Sequence, residues 1–270
     1  MKANPKRLLL GIEYLGTQYH GWQRQSQVTS IQGKLEQALS EIADEAITTT
    51  CAGRTDRGVH ATSQYVHFDL NNERPLKAWL KGGNTLLPND ISIFHATEIE
   101  PTFDARRTAL DRTYVYLIHN AVVPRAPLFQ QTTWISQTLD TELMHKSAQV
   151  LLGEQNFSAF RSAHCQSISV HRNMTEISVN RIKDLVVIQI TANAFLHHMV
   201  RNIVGSLIDV GKGIQPVEWI AELLESEDRT KAGVTAPANG LFLCRVRYPE
   251  QFGLSQDIRY PLYLASDFKV

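Results

Sequence analysis

Apolar and polar positions alternate along this chain with two different periods, and the changes of period outline its elements. Residues 7–14 form a short, nearly continuous apolar run of strand length. Ser30 stands as an N-cap before Ile31, Leu35, Ala38, Leu39 and Ile42, which recur at helical spacing. Residues 47–52 and 59–69 predict two strands joined by a glycine-framed turn. Pro75 in a first turn predicts a helix to 86, and residues 91–99 a further strand. The order β-α-β-β-α-β is that of a ferredoxin-like unit.

The second half resembles the first in outline. A strand is predicted at 114–119, and Asp140 caps a helix running to 152. Residues 171–180 and 185–191 read as a strand pair, helices cover 196–210 and 216–226, and 241–248 is a final strand. The halves share an element order but no sequence repeat, and no low-complexity linker separates them. The expected fold is α+β, with two ferredoxin-like (βαββαβ) units at residues 1–106 and 107–270. They are expected to share a continuous, largely antiparallel sheet with a central cleft.

Composition narrows the class. The chain has 270 residues, 43% of them hydrophobic, enough for a substantial core. No apolar run approaches the ~18 residues of a membrane span, and the start, Met1 to Arg7, lacks the apolar stretch of a signal peptide. Three cysteines, Cys51, Cys165 and Cys244, form no C-x-x-C pair, which suits a reducing, cytoplasmic setting. Net charge is zero, but it is unevenly spread. Arg161, Arg172, Arg181, Lys183 and Arg201 face only Glu176 and Asp184 within residues 155–202, whereas 218–228 hold five acids and no Lys or Arg. A basic surface and a separate acidic helix would sum to zero and still attract phosphates locally.

The densest chemistry lies in Cys51-Ala-Gly-Arg-Thr-Asp-Arg-Gly-Val-His60. It places Asp56 on a turn framed by Gly53 and Gly58, with Arg54 two residues earlier. A carboxylate on such a loop between two strands is anchored at both ends, yet its tip can face a cleft. A cation within ~4–6 Å would favour its ionised form, although an ordinary surface ion pair has the same appearance. No Walker loop, dinucleotide fingerprint or zinc-type Cys/His spacing is present, so neither cofactor nor metal is expected.

The string Gly-Arg-Thr-Asp-x-Gly-Val-His is similar to the active-site signature of the TruA-type pseudouridine synthases. Gly11-Ile-Glu-Tyr-Leu-Gly16, Tyr19-His-Gly-Trp-Gln-Arg-Gln25, Phe103-Asp-Ala-Arg106, Tyr114-Val-Tyr116, Phe160-Arg161, Cys165-Gln-Ser167, Asn193-Ala-Phe-Leu-His-His-Met-Val-Arg-Asn202 and Gly240-Leu-Phe-Leu243 extend the resemblance in order over residues 7–250. Arg57, Asp104 and Arg107 depart from the usual pattern. The resemblance implies an isomerase that turns uridine into pseudouridine in the anticodon stem-loop of tRNA, at positions 38, 39 and 40. It implies a cleft that binds RNA, a homodimer, and no cofactor.

Carried over by the same resemblance, Asp56 is the essential carboxylate, either attacking the sugar carbon or assisting departure of the uracil as a base. Arg54 helps hold it ionised or fills the space left by the flipped nucleotide. Tyr114 packs on the flipped uracil, and Leu241 is the apolar wall against it. On their residues alone, Tyr114 and Leu241 would be core positions of their strands. His198 and Arg201, at the expected start of the 196–210 helix, share a face with Asn202 and Gly205. Donors gathered at a helix start suit phosphate. A metal there is disfavoured because adjacent histidines on a helix point about 100° apart. Arg106, Arg112, Arg161 and Arg172 are weaker candidates for tRNA backbone contact. A non-catalytic RNA-binding module gives no reason for Asp56 beside Arg54, and a metal-dependent hydrolase lacks its ligand spacing.

Overall fold

A computed structural model describes residues 6–163 and 165–264. The stretch up to Pro5, most of the segment in which no signal-peptide pattern was expected, lies outside the described residues, as do His164 and everything after Leu264. Two compact units divide the chain: Met1–Leu110 with Leu243–Leu262, and Asp111–Phe242 with Tyr263–Val270.

In the first unit, β1 (Lys6–Tyr14) buries Leu8, Leu9, Leu10 and Ile12. α1 (Ile31–Ala43) starts as expected, with Ser30 Oγ accepting from Gly33 N at 3.2 Å, a cap of about 1 kcal/mol. β2 (Thr50–Cys51) is much shorter than the expected 47–52. The reason lies in α1: Ile47 N donates to Ser40 Oγ (2.9 Å) and Thr49 N to Glu36 Oε1 (2.8 Å), so these amides do not enter a ladder. β3 (His60–Leu70) takes up the pairing, opposing Thr50 with His67 and Cys51 with Val66. The expected 75–86 helix passes through a π-helical turn, Ala78–Gly82, which buries Trp79, into the short α2 (Gly83–Leu86). β4 (Ile91–Ile99) completes the unit. The strands stand in the order β4-β1-β3, with β2 also on β3 and β1 antiparallel to both neighbours.

The second unit opens with β5 (Asp111–Asn120), buried at every position, and β6 (Thr133–Ile135), parallel to it. Asp140 caps α3 (Thr141–Ala148) as expected, accepting from Glu142 N and Leu143 N at 3.0 Å each. β7 (Gly153–Asn156), β8 (His171–Ile182) and β9 (Leu185–Ala192) follow, giving the antiparallel order β5-β9-β8-β7. α4 (Met199–Gly211) and α5 (Trp219–Ser226) come last. On α5 and at its two ends the acids Glu218, Glu222, Glu225 and Glu227 of the acidic segment are exposed, and Ile220 and Leu223 are buried.

β10 (Leu241–Arg247) leaves the second unit after Phe242 and continues into the first, next to β3. The segment after it stays there. Tyr248 OH donates to Ala105 O (2.7 Å), the Phe252 ring lies 5.0 Å from Phe103, and the Arg259 guanidinium sits 4.0 Å over the Phe94 ring. The chain is α+β as expected, and among the described residues it has ten mostly antiparallel strands and five α-helices. The order β1-α1-β2-β3-α2-β4 is matched by β5-α3-β8-β9-α4-β10, with β6, β7 and α5 added in the second half.

Candidate active site

The Asp56 loop is held from the N-terminal side of its own unit. Trp22 N donates to Thr55 O (3.0 Å), and Tyr14 OH and Thr55 Oγ1 share a hydrogen bond of 2.8 Å. Gly21 has φ +89, and a Cβ on it would lie 2.8 Å from Thr55 O and 3.1 Å from the Asp56 carbonyl carbon. Only a glycine admits both the dihedral and the approach. The far end of the loop is fixed in the same way. Val59 N donates to Asp56 O (3.1 Å), Gly58 has φ +80, and Gly16 N donates to His60 Nδ1 (3.0 Å). Gln64 exchanges two hydrogen bonds with the backbone of Gly53, donating to its carbonyl at 2.5 Å and accepting from its N–H at 3.3 Å. Thr55 is buried at 7% exposure while Asp56 remains half-buried. The backbone is fixed and the carboxylate keeps partial exposure.

Arg54 stands on the same turn. Its side chain is exposed and makes no ion pair or hydrogen bond with a described residue. Arg106, also exposed, follows a turn in which Asp104 Oδ1 accepts from the N–H groups of Arg106 and Arg107 at 2.9 Å each. Asp104, a departure from the family pattern, therefore caps this turn. Partial burial, the largest influence, pulls its carboxyl up, but those two N–H groups, with the neighbouring His67 and Arg107, hold it below the usual range.

In the second unit, Tyr114 lies on β5 at 8% exposure, its ring edge-on to Phe195 at 5.0 Å. Tyr116, on the same side of the strand, is wholly structural: its hydroxyl meets Thr133 Oγ1 (2.6 Å) and donates to Pro237 O (2.8 Å), and burial raises its pKa. Leu241 is 5% exposed at the start of β10. Just before it, a Cβ at Gly240 would meet Leu117 O at 2.7 Å, so this turn packs directly onto β5.

The expected 196–210 helix starts later, at Met199. His198 is left-handed at φ +63, and the His197 and His198 rings lie 4.0 Å apart, tilted by 33°. The helical argument that separated their side chains therefore does not apply. The face expected to present Arg201, Asn202 and Gly205 is covered. A Cβ at Gly205 would fall 1.8 Å from Val234 O, and Asn202, 1% exposed, donates to Phe160 O (2.8 Å) and accepts from Thr235 Oγ1 (2.7 Å). Arg201 is half-buried. Its Nε donates to Ala236 O (2.8 Å), while Ala236 N donates to Arg201 O (3.0 Å).

The weaker arginine candidates are similarly engaged. Arg112 donates to Asn193 O (2.9 Å), Arg161 to Cys165 O (2.7 Å) and Arg172 to Ser167 Oγ (2.7 Å). Sequence reading missed Thr55, Gly21 and Trp22 as holders of the loop, and Phe195 beside Tyr114. Only the Trp-Gln-Arg-Gln string and the Asn193–Asn202 string hinted at them.

The sequence profile described as tRNA pseudouridine synthase matches residues 11–106 and 147–249. The chain belongs to the tRNA pseudouridine synthase family, enzymes that isomerise uridine to pseudouridine in tRNA, and it is accordingly an isomerase acting on tRNA. It is 50% identical over 262 residues to a protein named tRNA pseudouridine synthase A from Pseudoalteromonas atlantica, covering 97% of this chain and 100% of that one. The protein of that name from Vibrio campbellii is 51% identical over 258 residues, at 96% and 98% coverage. A solved structure described as a Cbf5-Nop10-Gar1 complex overlays at a TM-score of only 0.35 with 12% identity, covering 87% of this chain and 48% of that one. Family membership decides for the isomerase over the RNA-binding module and the hydrolase.

Proposed function

We propose that Asp56 is the carboxylate through which this isomerase acts, and that its targets are uridines at positions 38, 39 and 40 in the anticodon stem-loop. The supporting observation is the mounting of the loop: a rigid backbone around Thr55, with the next side chain left half-open. Isomerisation breaks the base–sugar N–C bond and makes a C–C bond to the same sugar, so no redox partner or group donor is required. Asp56 serves either as nucleophile at the sugar carbon or as base while uracil departs.

The target base leaves its stack at a cost of a few kcal/mol. Arg54, exposed and without an ion pair or hydrogen bond to a described residue, is assigned to the vacated space. The Tyr114 ring packs on the uracil and Leu241 walls it. His198 and Arg106 are assigned to the RNA backbone. Arg201 is assigned instead to holding the 234–236 segment, because its Nε is committed to Ala236 O. The working enzyme is proposed to be a cytoplasmic homodimer, since a tRNA body together with its anticodon arm exceeds what one chain of this size can hold.

The test is Asp56→Asn. The amide keeps the shape of the side chain but is neither anion nor base. Pseudouridine formation should vanish while tRNA affinity stays within about threefold, because affinity rests on many phosphate contacts. Turnover by the purified variant, with deamidation excluded by mass, would overturn the assignment.

A further inference from the structure

Glu36 has no part in the roles above, yet it is a carboxylate at 3% exposure on α1. Its Oε1 accepts from Gln32 Nε2 (2.9 Å), Thr49 N (2.8 Å) and Thr49 Oγ1 (3.1 Å). Its Oε2 lies 2.8 Å from Arg24 Nη1, an ionic contact that is not aligned as a hydrogen bond. A glutamine could accept the same bonds at Oε1 without burying a charge, and an ion pair buried at one end is poor support for stability. What the acid adds is a hold on Arg24.

Arg24 belongs to the turn that carries the Asp56 loop. Gln32 Oε1 accepts from Gln23 Nε2 (2.9 Å) and Arg24 N (3.0 Å), and Gln32 N donates to Trp22 O (3.0 Å). Trp22 N in turn donates to Thr55 O, the carbonyl immediately before Asp56. Three links therefore separate the buried charge from the reacting carboxylate: Glu36 to Gln32 and Arg24, these to Trp22, and Trp22 to Thr55. Trp22 itself is 1% exposed, 6.0 Å from the Tyr14 ring whose hydroxyl meets Thr55.

We propose that Glu36 is a positioning residue for the isomerisation: its charge clamps the 21–25 turn through Arg24 and Gln32, and the turn sets the Asp56 carboxylate. This rests on the assignment of Asp56 as the reacting group. Misplacing a catalytic group by about 1 Å costs up to about a hundredfold in rate, whereas substrate binding by a dispersed surface is insensitive to it.

The experiment compares Glu36→Gln, Arg24→Gln, the double variant and Asp56→Asn in the full chain, with unmodified tRNA transcript as substrate. Glu36→Gln should lower kcat about 10–100-fold with KM within about threefold. With fluorotryptophan incorporated, the Trp22 fluorine resonance, identified with Trp22→Phe, should shift while those of the other three tryptophans stay. Arg24→Gln should show the same split, and the double variant should be no worse than either single one.

Full kcat in folded Glu36→Gln would overturn the proposal. So would additive losses, or a loss confined to melting temperature. If Glu36→Gln does not fold, Arg24→Gln carries the test from the exposed end, and a rise in its KM at unchanged kcat would make Arg24 an RNA contact and sink the clamp. An inactive Asp56→Asn beside a fully active Glu36→Gln removes only the positioning role. Turnover by Asp56→Asn removes the reading beneath it.

Discussion

Replacing Gly21 by alanine tests the mounting of the Asp56 loop from a residue to which no catalytic role is assigned. Two costs arise. At φ +89 an L side chain strains the backbone by about 1–2 kcal/mol. The new Cβ would also stand 2.8 Å from Thr55 O and 3.1 Å from both Arg57 N and the Asp56 carbonyl carbon. All three are backbone atoms of the loop, so no side chain can swing aside and the loop must move by a few tenths of an ångström. Such overpacking costs a further ~1–3 kcal/mol. The sum, about 2–5 kcal/mol, corresponds to a melting temperature lower by roughly 4–20 °C for a chain of this size.

Gly213 provides the control, with φ +70 and nothing within 4 Å of its Cβ position. Gly213→Ala should carry the strain alone, about 1–2 kcal/mol, and keep kcat. Gly21→Ala should lose about 10–100-fold in kcat in an assay that follows tritium released from the uracil carbon, at a temperature where both variants are folded. Wild-type kcat in Gly21→Ala, or an equal loss in Gly213→Ala, would show that the approach of Gly21 does not set the position of Asp56.

Arg201→Ala should remove a charged hydrogen bond to Ala236 O worth about 1.5–3 kcal/mol, and so lower the melting temperature, while leaving the slope of log Kd for tRNA against log salt unchanged. A slope reduced by about one phosphate contact would place Arg201 on the RNA instead. His67 accepts from Ala105 N at 3.0 Å and is kept neutral, its pKa lowered by burial and then by Arg7. The unfolded chain therefore binds the proton first, so stability should be full above 6.5 and fall as pH drops from there towards the depressed folded value. His67→Gln should flatten this dependence in urea titrations between about pH 7.5 and about pH 5. An equally steep profile in the variant would assign it to His95, whose pKa burial also lowers.

What the sequence made legible was what near neighbours decide. The cap at Ser30 and the stripe of Ile31, Leu35 and Leu39 lie within one helix, and α1 begins where they place it. The glycine-framed loop was equally visible. What holds it was not, because Gly21, Trp22 and Tyr14 stand more than thirty residues away and nothing local joins them to Thr55. β2 was overestimated because Thr49 N turns to Glu36, a partner that β-propensity cannot weigh. α4 misled for the same reason. Its Asn202–Gly205 face looked polar and open, but the 233–236 segment, some thirty residues later, lies across it. Arg54 and Asp56 are near in sequence and were read as a pair, yet Arg54 makes no ion pair or hydrogen bond with a described residue.

The return of Leu243–Leu262 to the first unit has a consequence for the order of synthesis. A ribosome adding about 5–20 residues each second needs roughly 7–27 s to go from Leu110 to Leu243. Through that interval the Asp56 loop already exists, but β3 lacks the neighbour that β10 will supply, and the Phe94 and Phe103 rings lack Arg259 and Phe252. An open strand edge is a template for pairing with another chain. The nascent protein is thus most exposed to aggregation in mid-translation, and a chain cut short before Leu243 carries Asp56 on a unit it cannot close.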